Sequence, residues 1–241
     1  ELIEKETFAL FFYYDIKASL IDNSSLKKAK LKFLLEYLNR YLFDIKLLII
    51  KNRWLIPVVL AIIIDLSGSK NTPQLSSGIA CDFSIEKCIE KSIYEALQSI
   101  TGLRELILIK NQQLTKKVKK QPIVERLLWW ANYKNLKYIK VILENKIIST
   151  IPLQKIDYSH LKKIKKQEEK LLYIKKRAKV NKTKIFWTKT FSWKKQIYGV
   201  KIVSPDILPL SLSNKDIYYN KNENGLLIKP TNNFNFPHFL P

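Results

Sequence analysis

A chain of 241 residues can bury one large core or two small ones, and 46% apolar with 12% aromatic residues exclude a disordered polymer. Only 5 glycines are present, with neither GxGxxG nor GxxxxGK(S/T), so phosphates bound here must be held by side chains or metal. The formal charge of +22 invites a nucleic-acid reading, but arginine is confined to Arg40, Arg53, Arg104, Arg126 and Arg177. Base readout and bidentate phosphate recognition lean on arginine, so the lysine excess reads as a solvated surface and not as a specific nucleic-acid interface.

Residues 1–16, ELIEKETFALFFYYDI, have helical period, offering Leu2, Ile3, Phe8 and Phe12 to a core. After a turn at IDNSS, residues 26–43 continue as a long amphipathic helix with Leu31, Leu34, Leu35 and Leu38 inward. DIKLLIIKN reads as a strand, and WLIPVVLAIIIDL as a buried strand apolar on both faces, hence a sheet covered on both sides. That run, 54–66, is too short to span a bilayer and contains Pro57 and Asp65. SGSKNTPQLSSG, 67–78, is rich in turn formers and reads as a loop. Asp82 or Ser84 then caps a helix with Ile85, Ile89, Ile93, Leu97 and Ile100 on one face, ending near Thr101 and Gly102. Residues 110–122 are expected as an exposed loop, 124–135 as helical, 137–143 as an alternating segment and 158–179 as a basic helix. KIFWTKTF and IYGVKIVSP form a strand pair joined by SWKKQ, before an asparagine-rich run to PHFLP.

Beside the apolar face of the 85–100 helix runs a stripe of Cys88, Ser92, Glu95, Gln98 and Ser99. Glu95 and Gln98 are neighbours at i,i+3, as are Glu1 and Glu4 in the first helix. A carboxylate and a carboxamide side by side either share one hard cation or stand solvated, and the two pairs either converge on one metal-rich site or both lie at the surface. Cys81 and Cys88, without CxxC or clustered histidine, give no zinc pattern and need no oxidising compartment. The only histidines, His160 and His238, flank no plausible nucleophile. The opening at Glu1, inside a helix, leads us to expect a piece of something longer.

These segments resemble the YcaO-domain family, in its azoline-forming, thiazole/oxazole-modified microcin type. SSGIACDFSIEKCIEKSIYEALQSITGLREL is similar to the stretch where a glycine-containing segment leads to a helix bearing EAxQ. LIPVVLAIIID resembles the family's gIPvvxA strand, ELIEKETFALFFYY its ELIERDAF helix, IYGVKIVSPDILPL its VxKVxVPGL strand and PHFLP its proline-rich tail. The resemblance implies an α+β fold, a mixed β-sheet with packed helices, spanning 1–241 as one partial domain whose N-terminal portion is missing. It implies an ATP-dependent cyclodehydratase. A Cys, Ser or Thr side chain of a precursor peptide attacks the preceding amide, ATP phosphorylates the oxyanion, and phosphate loss leaves a thiazoline or oxazoline. It implies ATP and Mg2+ as cofactors, with Glu1, Glu4, Glu95 and Gln98 as metal ligands. Arg104 approaches phosphate only after a backbone shift, because Ile100 stands where the family has arginine. His238 and the Pro241 carboxylate shape the active site by the same resemblance, with Phe239 in place of the middle proline of the tail. The implied partners are a leader-peptide-binding protein, a flavin dehydrogenase and a separate chain carrying the missing half; a membrane is not among them, and the implied location is cytoplasmic. Thioamide or amidine chemistry, an accessory role in ribosomal-protein modification and a non-catalytic scaffold of the same fold stay open at this point.

Overall fold

In the computed structural model, residues 1–14, 16–69, 72–111, 127–193, 197–207, 220–221 and 227–228 are described. Five strands form one mixed sheet in the order β4-β3-β2-β1-β5: β1 (Ala18–Asp22), β2 (Phe43–Ile50), β3 (Val58–Asp65), β4 (Leu75–Cys81) and β5 (Ile147–Pro152). The run from β1 to β4 pairs antiparallel, while β5 joins the outer side of β1 in parallel. The expected mixed sheet with packed helices is therefore present.

The double-sided strand explains the layers. Val58, Leu60 and Ile62 of β3 face α1 (Leu2–Tyr13), burying Phe8, Phe11 and Phe12, and α4 (Leu136–Lys146), burying Ile139 and Ile142. Val59, Ala61 and Ile63 face the other way, against Leu31, Leu35 and Leu38 of α2 (Ala29–Arg40) and Ile89, Ile93 and Ala96 of α3 (Ile85–Asn111). A strand without a polar face needs helices on both sides, and it has them. At one end of the sheet, α5 (Gln167–Val180) packs Ala178 on Trp54 and Ile56. The strands β6 (Phe186–Trp193) and β7 (Ile197–Val203) pair as expected, apart from the main sheet. Among the described residues no helix is long and apolar enough to cross a membrane.

Several expected elements are corrected. The segment 137–143 is helical, because Leu136, Ile139, Ile142 and Lys146 turn inward at a spacing of three to four residues, not two. Helix α3 passes Gly102 and runs to Asn111; Leu103 keeps the buried face going, and an exposed helical glycine costs only about 0.5–1 kcal/mol. Residues 110 and 111 are thus helical, while 112–122 lie outside the described residues. The expected 158–179 helix starts only at Gln167, where Glu169 accepts the Lys165 and Lys166 N–H groups at 2.9 and 3.0 Å. Short strands β1 and β5 arise where no strand was expected. The supposed loop 67–78 ends in strand β4, where Leu75–Gly78 pair with Ala61–Ile64 of β3.

Candidate active site

Strand β4 is the edge of the five-stranded sheet, so its outward N–H groups meet no strand. Two carboxylates take them. Glu95 Oε2 accepts the Ile79 N–H at 2.9 Å, and Glu4 Oε1 accepts the Cys81 N–H at 2.6 Å. Residues two apart on a strand point their N–H groups the same way, about 7 Å from one another. Glu4 comes from α1 on one face of the sheet and Glu95 from α3 on the other. The edge strand therefore gathers two acids, delivered from opposite layers, onto one line, and each bond occupies one of the two carboxylate oxygens.

The close approach of α3 depends on Gly78. A Cβ at this position would lie 2.3 Å from the Ser92 carbonyl oxygen, 2.5 Å from the Ala96 nitrogen and 2.8 Å from Glu95 Cβ. Cys88, Ser92 and Ala96 are fully buried beside the strand, so the small-residue stripe is where helix and strand press together. Ser84 caps the helix, its hydroxyl accepting the Lys87 N–H at 3.4 Å.

Burial pushes the Glu95 carboxyl above its ordinary range against the Ile79 N–H bond, and the nearby charges of Glu4 and Glu1 push it further up. Glu1 is exposed and pairs with Lys5 at 2.6 Å, which holds its carboxyl below the usual value. Three acids thus share a neighbourhood with two cations, the Lys5 ammonium on Glu1 and the Glu1 amino group, 3.6 Å from Glu4 Oε2. Gln98 lies exposed one turn beyond Glu95. Arg104 is exposed nine residues beyond Glu95, about half a revolution around the helix at 100° per residue, so the continuous helix turns it away from the carboxylate pair. His238 and Pro241 lie outside the described residues. Burial, then Glu4, pushes the Cys81 thiol up to about 12, which disfavours the thiolate form.

Among the described residues no group of three or more Asp, Glu, His or Cys side chains is placed to hold a metal by itself. Mg2+ rarely asks for that; it takes one or two carboxylates and completes its shell with water and substrate phosphates. Burial first, and then the charges of Glu4 and Glu1, raise the Glu95 carboxyl; such hard oxygen donors fit a divalent ion, since a cation between them would offset both the desolvation and the repulsion. The sequence reading missed the strand beneath them. Its signal was a glycine among short residues, SSGIAC, facing the short residues of the next helix.

The model of the YcaO cyclodehydratase family, described as ATP- and Mg2+-binding, matches residues 1–207, and the chain belongs to that family. No curated protein sequence matches it. Among solved structures, it is similar to a chain of the E. coli microcin synthetase McbBCD complex with pro-MccB17 bound, at 16% identity and a TM-score of 0.62, covering 93% of this chain and 55% of that one. A heterocyclase in complex with substrate and cofactor is similar at 13% identity and a TM-score of 0.60, covering 86% of this chain and 26% of that one. The heterocyclase TruD is similar at 13% identity and a TM-score of 0.57, with 87% and 26% covered. The chain thus spans between a quarter and just over half the length of these structures.

Proposed function

We propose that the chain is the C-terminal part of an ATP-dependent peptide cyclodehydratase that forms thiazoline or oxazoline in a ribosomally made precursor peptide. The observation that carries this reading is the pair of carboxylates, Glu4 and Glu95, hung from two N–H groups of one strand edge. Fixed by backbone donors, these acids are pre-ordered to hold Mg2+ and, through it, the phosphates of ATP, with Glu1 and Gln98 within one turn of each. ATP, as co-substrate, supplies the phosphoryl group that makes the amide oxygen a leaving group. The chain's own contribution is to position charge and to neutralise it, which suits phosphoryl transfer, where there is little covalent chemistry for protein to do. His238 and Pro241 enter the same site on the family resemblance, and Arg104 only with a shift of α3.

The partners of this reading are the precursor peptide, a leader-peptide-binding protein, a flavin dehydrogenase and a polypeptide supplying the rest of the domain, all in the cytoplasm. The similarity to a microcin synthetase complex with its pro-peptide bound supports the first of these. The test is calorimetric titration of ATP with Mg2+ into the chain, alone and with that polypeptide. Binding that needs Mg2+ and falls at least tenfold in both Glu4→Ala and Glu95→Ala is expected. Binding unchanged in both, or absent from the reconstituted pair, overturns the reading. A second reading, a non-catalytic scaffold of the same fold, is favoured by Ile100 and by the outward face of Arg104; a complex that assembles without any nucleotide dependence is its signature.

A further inference from the structure

Beyond the carboxyl ends of β1 and β5, the one parallel pair of the main sheet, lies a cavity of about 270 Å3 that the carboxylate site does not use. Glu86, on its wall, stands nine residues before Glu95 on α3, two and a half turns away and on the opposite side of the helix. The floor is apolar: Leu26 and Leu31 are buried, with Leu153 and Ile156 beside them. The rim carries Lys27, Lys28 and Lys162. Against these three ammonium groups stands one carboxylate, Glu86, which lies 4.0 Å from Lys28 and accepts the Ser84 hydroxyl at 2.8 Å. Among the described residues no carboxylate lies within ion-pair distance of Lys27 or Lys162. The rim thus holds a net excess of positive charge above an apolar floor; burial raises the Glu86 carboxyl, but the Ser84 hydroxyl, its own backbone N–H and then Lys28 and Lys162 bring it below its usual range.

Such a lining selects its ligand by exclusion. A wholly apolar ligand leaves the ammonium groups unanswered, and a bare phosphate leaves the apolar floor wet. At about 270 Å3 the cavity lies at the lower edge of the range for small-ligand pockets and suits one or two side chains. Lysine is a compact charge on a flexible stem and does not require the planar geometry that arginine reads, which suits a carboxylate arriving from several angles. We propose that this cavity binds a peptide segment in which an acidic side chain sits beside apolar ones. That the occupant is a peptide rests on the function proposed above, and its acidity follows from the rim.

The full chain, free of nucleotide and Mg2+, is titrated into a fluorescein-labelled five-residue peptide with one glutamate between two leucines, and into its glutamine counterpart, by anisotropy. We expect saturable binding of the glutamate peptide, at least tenfold weaker binding of the glutamine peptide, and at least a tenfold loss in the Lys27→Gln/Lys162→Gln double variant. A control pair on a different surface, Lys134→Gln/Lys137→Gln, is expected to leave binding unchanged. The proposal is overturned by equal binding of the two peptides, by an equal loss in the control pair, by no saturable binding, or by inorganic phosphate displacing the peptide at equal concentration. Because Glu4 and Glu95 are intact and no nucleotide is present, failure here leaves the ATP titration, and the function it tests, standing.

Discussion

Replacing Gly78 by alanine tests the site at its foundation. The added Cβ would meet two backbone atoms at 2.3 and 2.5 Å, where contacts of real Cβ atoms begin at about 3 Å or more, so helix α3 must retreat by close to an ångström. Neither atom belongs to a flexible side chain, so no rotamer change relieves the clash. Overpacking of this kind costs about 1–3 kcal/mol. Loosening the charge-assisted bond from the Ile79 N–H to Glu95 adds about 1 kcal/mol more, giving roughly 2–4 kcal/mol in all. For a chain of this size, each 1 kcal/mol moves Tm by about 2–4 °C. Thermal and urea denaturation of Gly78→Ala should therefore show a Tm lower by roughly 4–16 °C with an unchanged m-value. A Tm within 1 °C of the parent would refute the argument that α3 rests on a bare backbone there.

The other glycine of this pair should move stability in the opposite sense. Gly102 is inside the same helix with nothing within 4 Å of its missing Cβ, so Gly102→Ala should stabilise by about 0.5–1 kcal/mol in the same urea assay; any loss contradicts the open, helical placement. Leu42 holds φ at 60° while 55% exposed, and Leu42→Gly should raise stability by about 0.5–1 kcal/mol, the left-handed penalty less the added chain entropy. Asp82 is buried in part, which raises its carboxyl, yet the Lys91 ammonium at 2.7 Å and the Ser84 N–H bring it below the ordinary value of 3.8. A depressed carboxyl contributes stability above its unfolded pKa and loses it as pH falls through the folded one. The stability gap between the parent and Asp82→Asn should thus be about 0.5–1 kcal/mol at pH 6–7 and close below about pH 3.8, followed by urea unfolding across that range. A gap that persists unchanged at pH 3 assigns the effect to shape and not to charge.

The long apolar strand and the helices on either side of it were legible because their periodicity survives burial: Val58 to Ile63 read as two-faced in the sequence and are two-faced in the fold. The i,i+3 spacing of Glu4 to Glu1 and of Glu95 to Gln98 left a solvated surface open, and the family resemblance singled these acids out. What spacing withheld was their anchor, since the partners are backbone N–H groups of Ile79 and Cys81, and backbone leaves no mark in residue identity. Strand β4 was read as a loop because SSG has turn chemistry, and only the tight seat of α3 turns that glycine into a strand residue. Gly102 misled in the opposite direction, reading as a helix stop where Leu103 and the residues beyond it continue the helix. Arg104 could be placed only once α3 was known to run unbroken past it, which fixes the side of the helix it occupies.

The parallel union of β1 with β5 also sets a timetable. Asp22 pairs with Pro152, and Ala18 with Ile147, whereas β2, β3 and β4 each find their partner in the next stretch of chain. At about 5–20 residues per second of synthesis, β1 waits roughly 6–25 s with its outer edge open before β5 emerges. The β2-β3-β4 meander and the α3 helix that carries Glu95 can close during that wait, while the Ser19–Ser149 contact across the last seam cannot. A nascent chain stalled before residue 147 is therefore an acid-bearing but unsealed sheet, and the moment most exposed to misassociation falls late in its making, when Glu4 and Glu95 already have their strand.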